Sequence, residues 1–136
     1  MLTLFVLDST GAPIFEDNIK AITSFGELPH KIFRVKNYFE VNKKEKTTPW
    51  FGVIYDNEYI EEELQASLEY FFEFCTADIL IVMKKIQDEG EVRIFKAPRF
   101  FRQNVKLQED SLLPADEGLQ FETILNGWIL DDPDSV

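Results

Sequence analysis

Runs of apolar residues broken by polar turns divide this chain into alternating strand-like and helix-like segments. Leu2 to Leu7 is a continuous apolar run that ends in Asp8-Ser9-Thr10-Gly11, as expected of a buried strand delivering its end to a polar loop. Ile14 to Phe25 places Phe15, Ile19, Ile22 and Phe25 at helical spacing, and Gly26 with Pro29 ends it. Lys31 to Val35 reads as a second strand, and Asn42 to Lys46 as a basic solvated loop. Trp50 to Tyr55 is the third strand, and Asp56-Asn57-Glu58 is a turn. From Ile60 to Thr76 the residues Ile60, Leu64, Leu68, Phe71, Phe72 and Cys75 recur at the period of one buried helix face. Ala77 to Met83 is apolar enough for a strand buried on both faces. Gln87 to Gly90 turns the chain into a fifth strand, Glu91 to Phe95. Arg99-Phe100-Phe101-Arg102 then interleaves two cations with two rings. Asp116 to Asn126 carries Leu119, Ile124 and Leu125 as an apolar stripe and predicts a last helix stopped by Gly127.

Strands alternating with helices through the first 83 residues predict an α/β fold, a three-layer sandwich with a mostly parallel central sheet. Ligands of such sheets bind at the carboxyl ends of strands, where Asp8, Asn37 and Asp56-Asn57-Glu58 are expected to gather. Residues 1–130 are read as a single α/β domain and residues 131–136, rich in Asp, as an acidic tail. The chain's 136 residues, 45% of them hydrophobic, suffice for one core.

Charge narrows the choice of partners. With 14 Lys and Arg against 25 Asp and Glu the net charge is -11, which repels nucleic-acid phosphate. A polyanion mimic would rest on this charge alone. The first eight residues lack a basic leader and read as a strand, not a signal, and no apolar run has the length of a membrane span. The lone Cys75 cannot form an internal disulfide, so the chain is assigned to a reducing, cytoplasmic compartment. No glycine-rich phosphate loop, serine-nucleophile elbow or paired Cys and His ligands occur, and the one histidine, His30, lies between Pro29 and Lys31. Oxygen donors remain, and Asp56 and Glu58, two residues apart at a strand end, have the spacing to hold Mg²⁺ or Mn²⁺. The same residues also suit a turn and helix cap, as does Asp116 before its own predicted helix.

The run Thr48-Pro49-Trp50 through Tyr55-Asp56-Asn57-Glu58 to Leu64 resembles the acidic motif of the family-two glycosyltransferases, and Asp116 through Asn126-Gly127-Trp128 resembles their later helix. The resemblance implies a GT-A-like nucleotide-diphospho-sugar transferase fold. It further implies a nucleotide-sugar donor, a carbohydrate or other hydroxyl acceptor, and Mn²⁺ or Mg²⁺ held by Asp56 and Glu58. Asp116 would be the catalytic base, with Asp8, Asn37, Lys43 and Lys44 toward the nucleotide and Arg99 and Arg102 toward phosphate or acceptor. Two departures stand out: Asn37-Tyr38-Phe39 replaces the family's Asp-rich loop, and Ala115 stands where Glu is usual. The chain is also short for that fold. These departures support an alternative, a non-catalytic interaction or structural module. Oligomerisation is compatible with either.

Overall fold

The computed structural model describes residues 2–7 and 19–131; the side chains of Ile19 and His30 are not described. Along the chain run β1 (Leu2–Leu7), α1 (Ile19–Thr23), β2 (Pro29–Val35), α2 (Tyr38–Lys43), β3 (Trp50–Tyr55), β4 (Glu58–Ile60), α3 (Glu62–Phe74), β5 (Ile79–Asp88), β6 (Glu91–Arg102), β7 (Phe121–Thr123) and β8 (Ile129–Asp131). The strands form one sheet in the order β2-β1-β3-β6-β5-β8-β4, with β7 also pairing β5.

Only part of the predicted parallel sheet is present. β1 is parallel to both β2 and β3, and their carboxyl ends align at Val35, Leu7 and Tyr55. Beyond β3 the sheet turns antiparallel through β6 and β5, and β4 is antiparallel to β8. Strand content of 44% against 20% helix makes the protein predominantly β, and the sheet curls into a half-barrel. The GT-A-like α/β sandwich is therefore not this fold. A three-layer sandwich needs long helices on both faces, whereas among the described residues α1 has five residues, α2 has six, and α3 alone is long.

Alternation along the strands explains the two cores. Leu2, Leu4, Val6, Trp50, Ile54, Leu80, Val82 and Phe100 face α3, whose Leu64, Leu68 and Phe72 complete that cluster. Phe5, Leu7, Phe51, Val53, Ile79 and Phe101 face the other way, under Val41 of α2 and Val105 and Leu107 of the following segment. Trp50 packs on Phe72 with ring centres 5.5 Å apart. The β5–β6 hairpin reverses at Glu89-Gly90, both at positive φ (46° and 84°), the backbone of a two-residue turn that matches strand twist.

Several other sequence expectations change. The predicted helix at 116–126 is absent: its residues form bends and then β7, parallel to β5. The strand expected to stop at Met83 continues through Lys84 to Asp88, and the strand expected over 91–95 continues to Arg102. Asp131 closes β8, and the remainder of the expected acidic tail lies outside the described residues. Of the helix expected over 14–25, residues 14–18 also lie outside them. Among the described residues no helix is long and apolar enough to cross a membrane.

Candidate functional site

Curling of the sheet brings its far edge, β4, back beside β3, because the chain passes from one to the other through only Asp56 and Asn57. The Asp56 amide donates to the Leu7 carbonyl at 2.8 Å, tying this turn to the carboxyl end of β1. Strand alternation in β4 then sends Glu58 to the same side as Ile60, into the protein. Glu58 is 2% exposed.

A carboxylate so buried needs partners, and the hairpin supplies them. Arg99 has no partner in the β5–β6 ladder: Leu80 pairs with Phe100 and Ile81 with Pro98, so Arg99 is the extra residue of a bulge. The bulge sends its guanidinium to Glu58, with Nη1 donating to Oε1 at 2.6 Å and Nη2 to Oε2 at 2.9 Å. Lys84 Nζ donates to Glu58 Oε2 at 2.6 Å and to Asp131 Oδ1 at 2.5 Å. The Tyr55 amide donates to Glu58 Oε1 at 2.8 Å. Four elements, β4, β5, β6 and β8, thus meet at a cluster of two cations and two carboxylates.

Burial alone would raise the Glu58 pKa, but Arg99 and Lys84 outweigh it and hold the carboxyl below its ordinary value. Burial likewise disfavours the charged Arg99, and Glu58 reverses that, keeping the guanidinium protonated. Above the cluster the Tyr38 and Tyr55 hydroxyls hydrogen-bond to each other. The Tyr38 phenol is pushed up, first by burial, then by that bond. The Arg99 guanidinium lies 5.2 Å from the centre of the Tyr55 ring.

These groups form the floor of an open groove of about 600 Å³, walled by Phe95, Pro98, Leu112 and Leu113 and edged by Lys96 and Asp110. An apolar wall over a charge-balanced floor can bind. Chemistry at neutral pH is another matter, because Glu58 is no base when its pKa is depressed and both its oxygens already accept hydrogen bonds.

The predicted site residues separate. Asp56 and Glu58, two residues apart, are both buried, but among the described residues no group of three His, Cys, Asp or Glu side chains is placed to hold a metal ion. The metal-binding assignment of Asp56 and Glu58 is corrected accordingly: a cation would have to displace Arg99 and Lys84 from Glu58, and the donor set does not fit it. Asp116 is exposed in the loop before β7 and does not line the groove, so nothing sets it opposite Glu58. Asn37 caps α2, its Oδ1 accepting from the Glu40 amide at 3.0 Å. Lys43 and Lys44 are exposed, with Nζ 4.6 Å from the Phe39 ring centre and 5.2 Å from that of Phe33. Asp8 lies outside the described residues. Arg102, expected toward a ligand, turns inward: Nε donates to the Ala77 carbonyl at 3.0 Å and its guanidinium lies over Trp50.

Sequence reading passed over Lys84, Tyr38, Tyr55 and Asp131. The available signal was two cations set into apolar strands, Lys84 after Ile79–Met83 and Arg99 before Phe100-Phe101, since buried cations require carboxylates.

No protein-family model matches this chain, and none of the curated proteins matches it. The fold and the groove define it as a small, mostly β domain with an open, charge-balanced cleft.

Proposed function

We propose that this protein is a non-catalytic binding module that takes its ligand in the groove at the mouth of the half-barrel. One observation carries the reading: both oxygens of Glu58, the acid best placed for chemistry, are committed to Arg99 and Lys84. The quartet then serves as a rigid floor. A ligand with an apolar part against Phe95, Leu112 and Leu113 and a polar end at the Tyr38–Tyr55 hydroxyls suits the lining. A reducing, cytoplasmic setting accords with the single free Cys75.

Two measurements test this. Titration with UDP-, GDP- and CMP-sugars in Mn²⁺ is expected to give no heat. Saturable heat, or sugar transfer lost in Asp56→Ala with the fold intact, would replace binding by catalysis. Added aromatic fragments are expected to shift the amide resonances of Tyr55 and Leu113, and shifts confined to other surfaces would remove the groove from the proposal.

A further inference from the structure

A second surface lies on the far side of β5, away from the groove. β7 pairs with β5 through the Gln120 carbonyl, the backbone of Glu122 and the Ile124 amide. In a parallel ladder this register points the N–H and C=O groups of Phe121 and Thr123 to the opposite side. Among the described residues β7 has no other strand partner. The short strand therefore presents an open hydrogen-bonding edge.

Beside that edge, the last turns of α3 leave large rings in solvent. Tyr70 and Phe74 are 61% and 62% exposed, with ring centres 4.9 Å apart, and Phe121 is 47% exposed. Between α3 and β7 runs a groove of about 500 Å³, lined by these rings together with Thr76, Gln120 and Glu122, and no Lys or Arg lines it. Glu122, which lines it, is exposed, and Glu69 and Glu73 are exposed elsewhere on α3. Isolated apolar side chains on a surface need no explanation, but three rings gathered beside an open strand edge do.

We propose that this groove is a docking site for an extended, cationic segment of a partner protein. The segment adds as a strand along β7, bonding the outward backbone of Phe121 and Thr123, and lays Arg or Lys side chains over Tyr70, Phe74 and Phe121. Charge decides the occupant. A second copy docked symmetrically along β7 would set Glu122 against its own counterpart, and the chain's net charge of -11 adds to that repulsion.

The test uses the full chain and two synthetic eight-residue peptides, one alternating Arg with Val, the other Glu with Val. The Arg peptide is expected to bind, to weaken with added salt, and to slow hydrogen exchange at the Phe121 and Thr123 amides about tenfold or more. Thr123→Pro removes only an outward N–H, so the ladder to β5 survives while peptide binding falls about tenfold. Tyr70→Ser with Phe74→Ser, at exposed positions, gives the same loss by a separate route. Equal binding of the two peptides, or binding that leaves the β7 amides unprotected, overturns the proposal. So does an absence of binding, or self-association that Thr123→Pro abolishes, which would assign the edge to a second copy. None of these outcomes bears on the groove floored by Glu58.

Discussion

Replacing Glu58 by Gln keeps the shape of the side chain and removes its charge, leaving Arg99 and Lys84 inside the protein with Asp131 as their one remaining carboxylate partner among the described residues. Glu58 accepts four hydrogen bonds, two at each oxygen, three of them from cationic donors. The Gln oxygen can retain one pair, while its NH₂ group turns a donor toward donors where the other pair had been. Losing two bonds to charged groups costs about 3–6 kcal/mol, and one-sided disruption of a buried ion pair costs about 3–5 kcal/mol. Asp131, with its side chain 42% exposed, is well placed to keep Lys84 but makes no ion pair with Arg99. We therefore expect a loss of about 4 kcal/mol, a large part of the roughly 5–15 kcal/mol typical of a domain. Urea denaturation followed by circular dichroism and by the fluorescence of buried Trp50 measures it, and the midpoint should fall by about 2 M for a slope near 2 kcal/mol per M. The double variant Glu58→Met, Arg99→Met should recover much of the loss, because apolar replacement of both partners removes the stranded charge. A loss below about 1 kcal/mol in Glu58→Gln, the size of an ordinary exposed pair, would refute the reasoning.

Two further predictions concern pH and backbone. Because the folded pKa of Glu58 lies below its ordinary value of 4.5, its stabilisation is present above that value and is lost as pH falls through the folded pKa. The stability gap between wild type and Glu58→Gln should hold constant from neutral pH to about 5 and narrow below it, and a gap that widens with acid would contradict the assignment. Gly127→Ala should cost about 2–5 kcal/mol by thermal denaturation, since φ is 87° and the new Cβ would stand 2.3 Å from the Leu64 amide nitrogen. Gly118, at φ 81° but with open space around it, should lose only the conformational part, and equal losses at the two sites would show that Leu64 yields.

Local pattern was enough to locate β1, β3 and α3, because each is written in its own hydrophobic period. β1, β2 and β3 are parallel, but the helix α2 that joins β2 to β3 lies where a solvated loop was expected, and the mostly parallel sheet did not follow. Direction was lost after α3. The alternation that marks the long hairpin is interrupted by Lys84 and Arg99, whose partners lie 26 and 41 residues away in Glu58, so buried cations looked like ends of strands. Glu58 was read as part of a turn for the same reason, although it opens β4 and shares a face with Ile60. At 116–126 a helix-like spacing of Leu119, Ile124 and Leu125 was misleading: Ile124 enters the core, Leu125 stays in solvent, and pairing with β5 outweighed helical propensity.

The bulge has a consequence for how this hairpin can change length. Residues of β5 and β6 pair one to one on either side of Arg99, and Arg99 itself has no place in that pairing. Removing one residue elsewhere in the hairpin's ladder would exchange core and solvent faces along the rest of the arm, whereas removing Arg99 would leave Pro98 beside Phe100 with every existing pairing intact. The charge that organises the groove floor is thus carried as a detachable insertion, and the sheet beneath it is already complete without it.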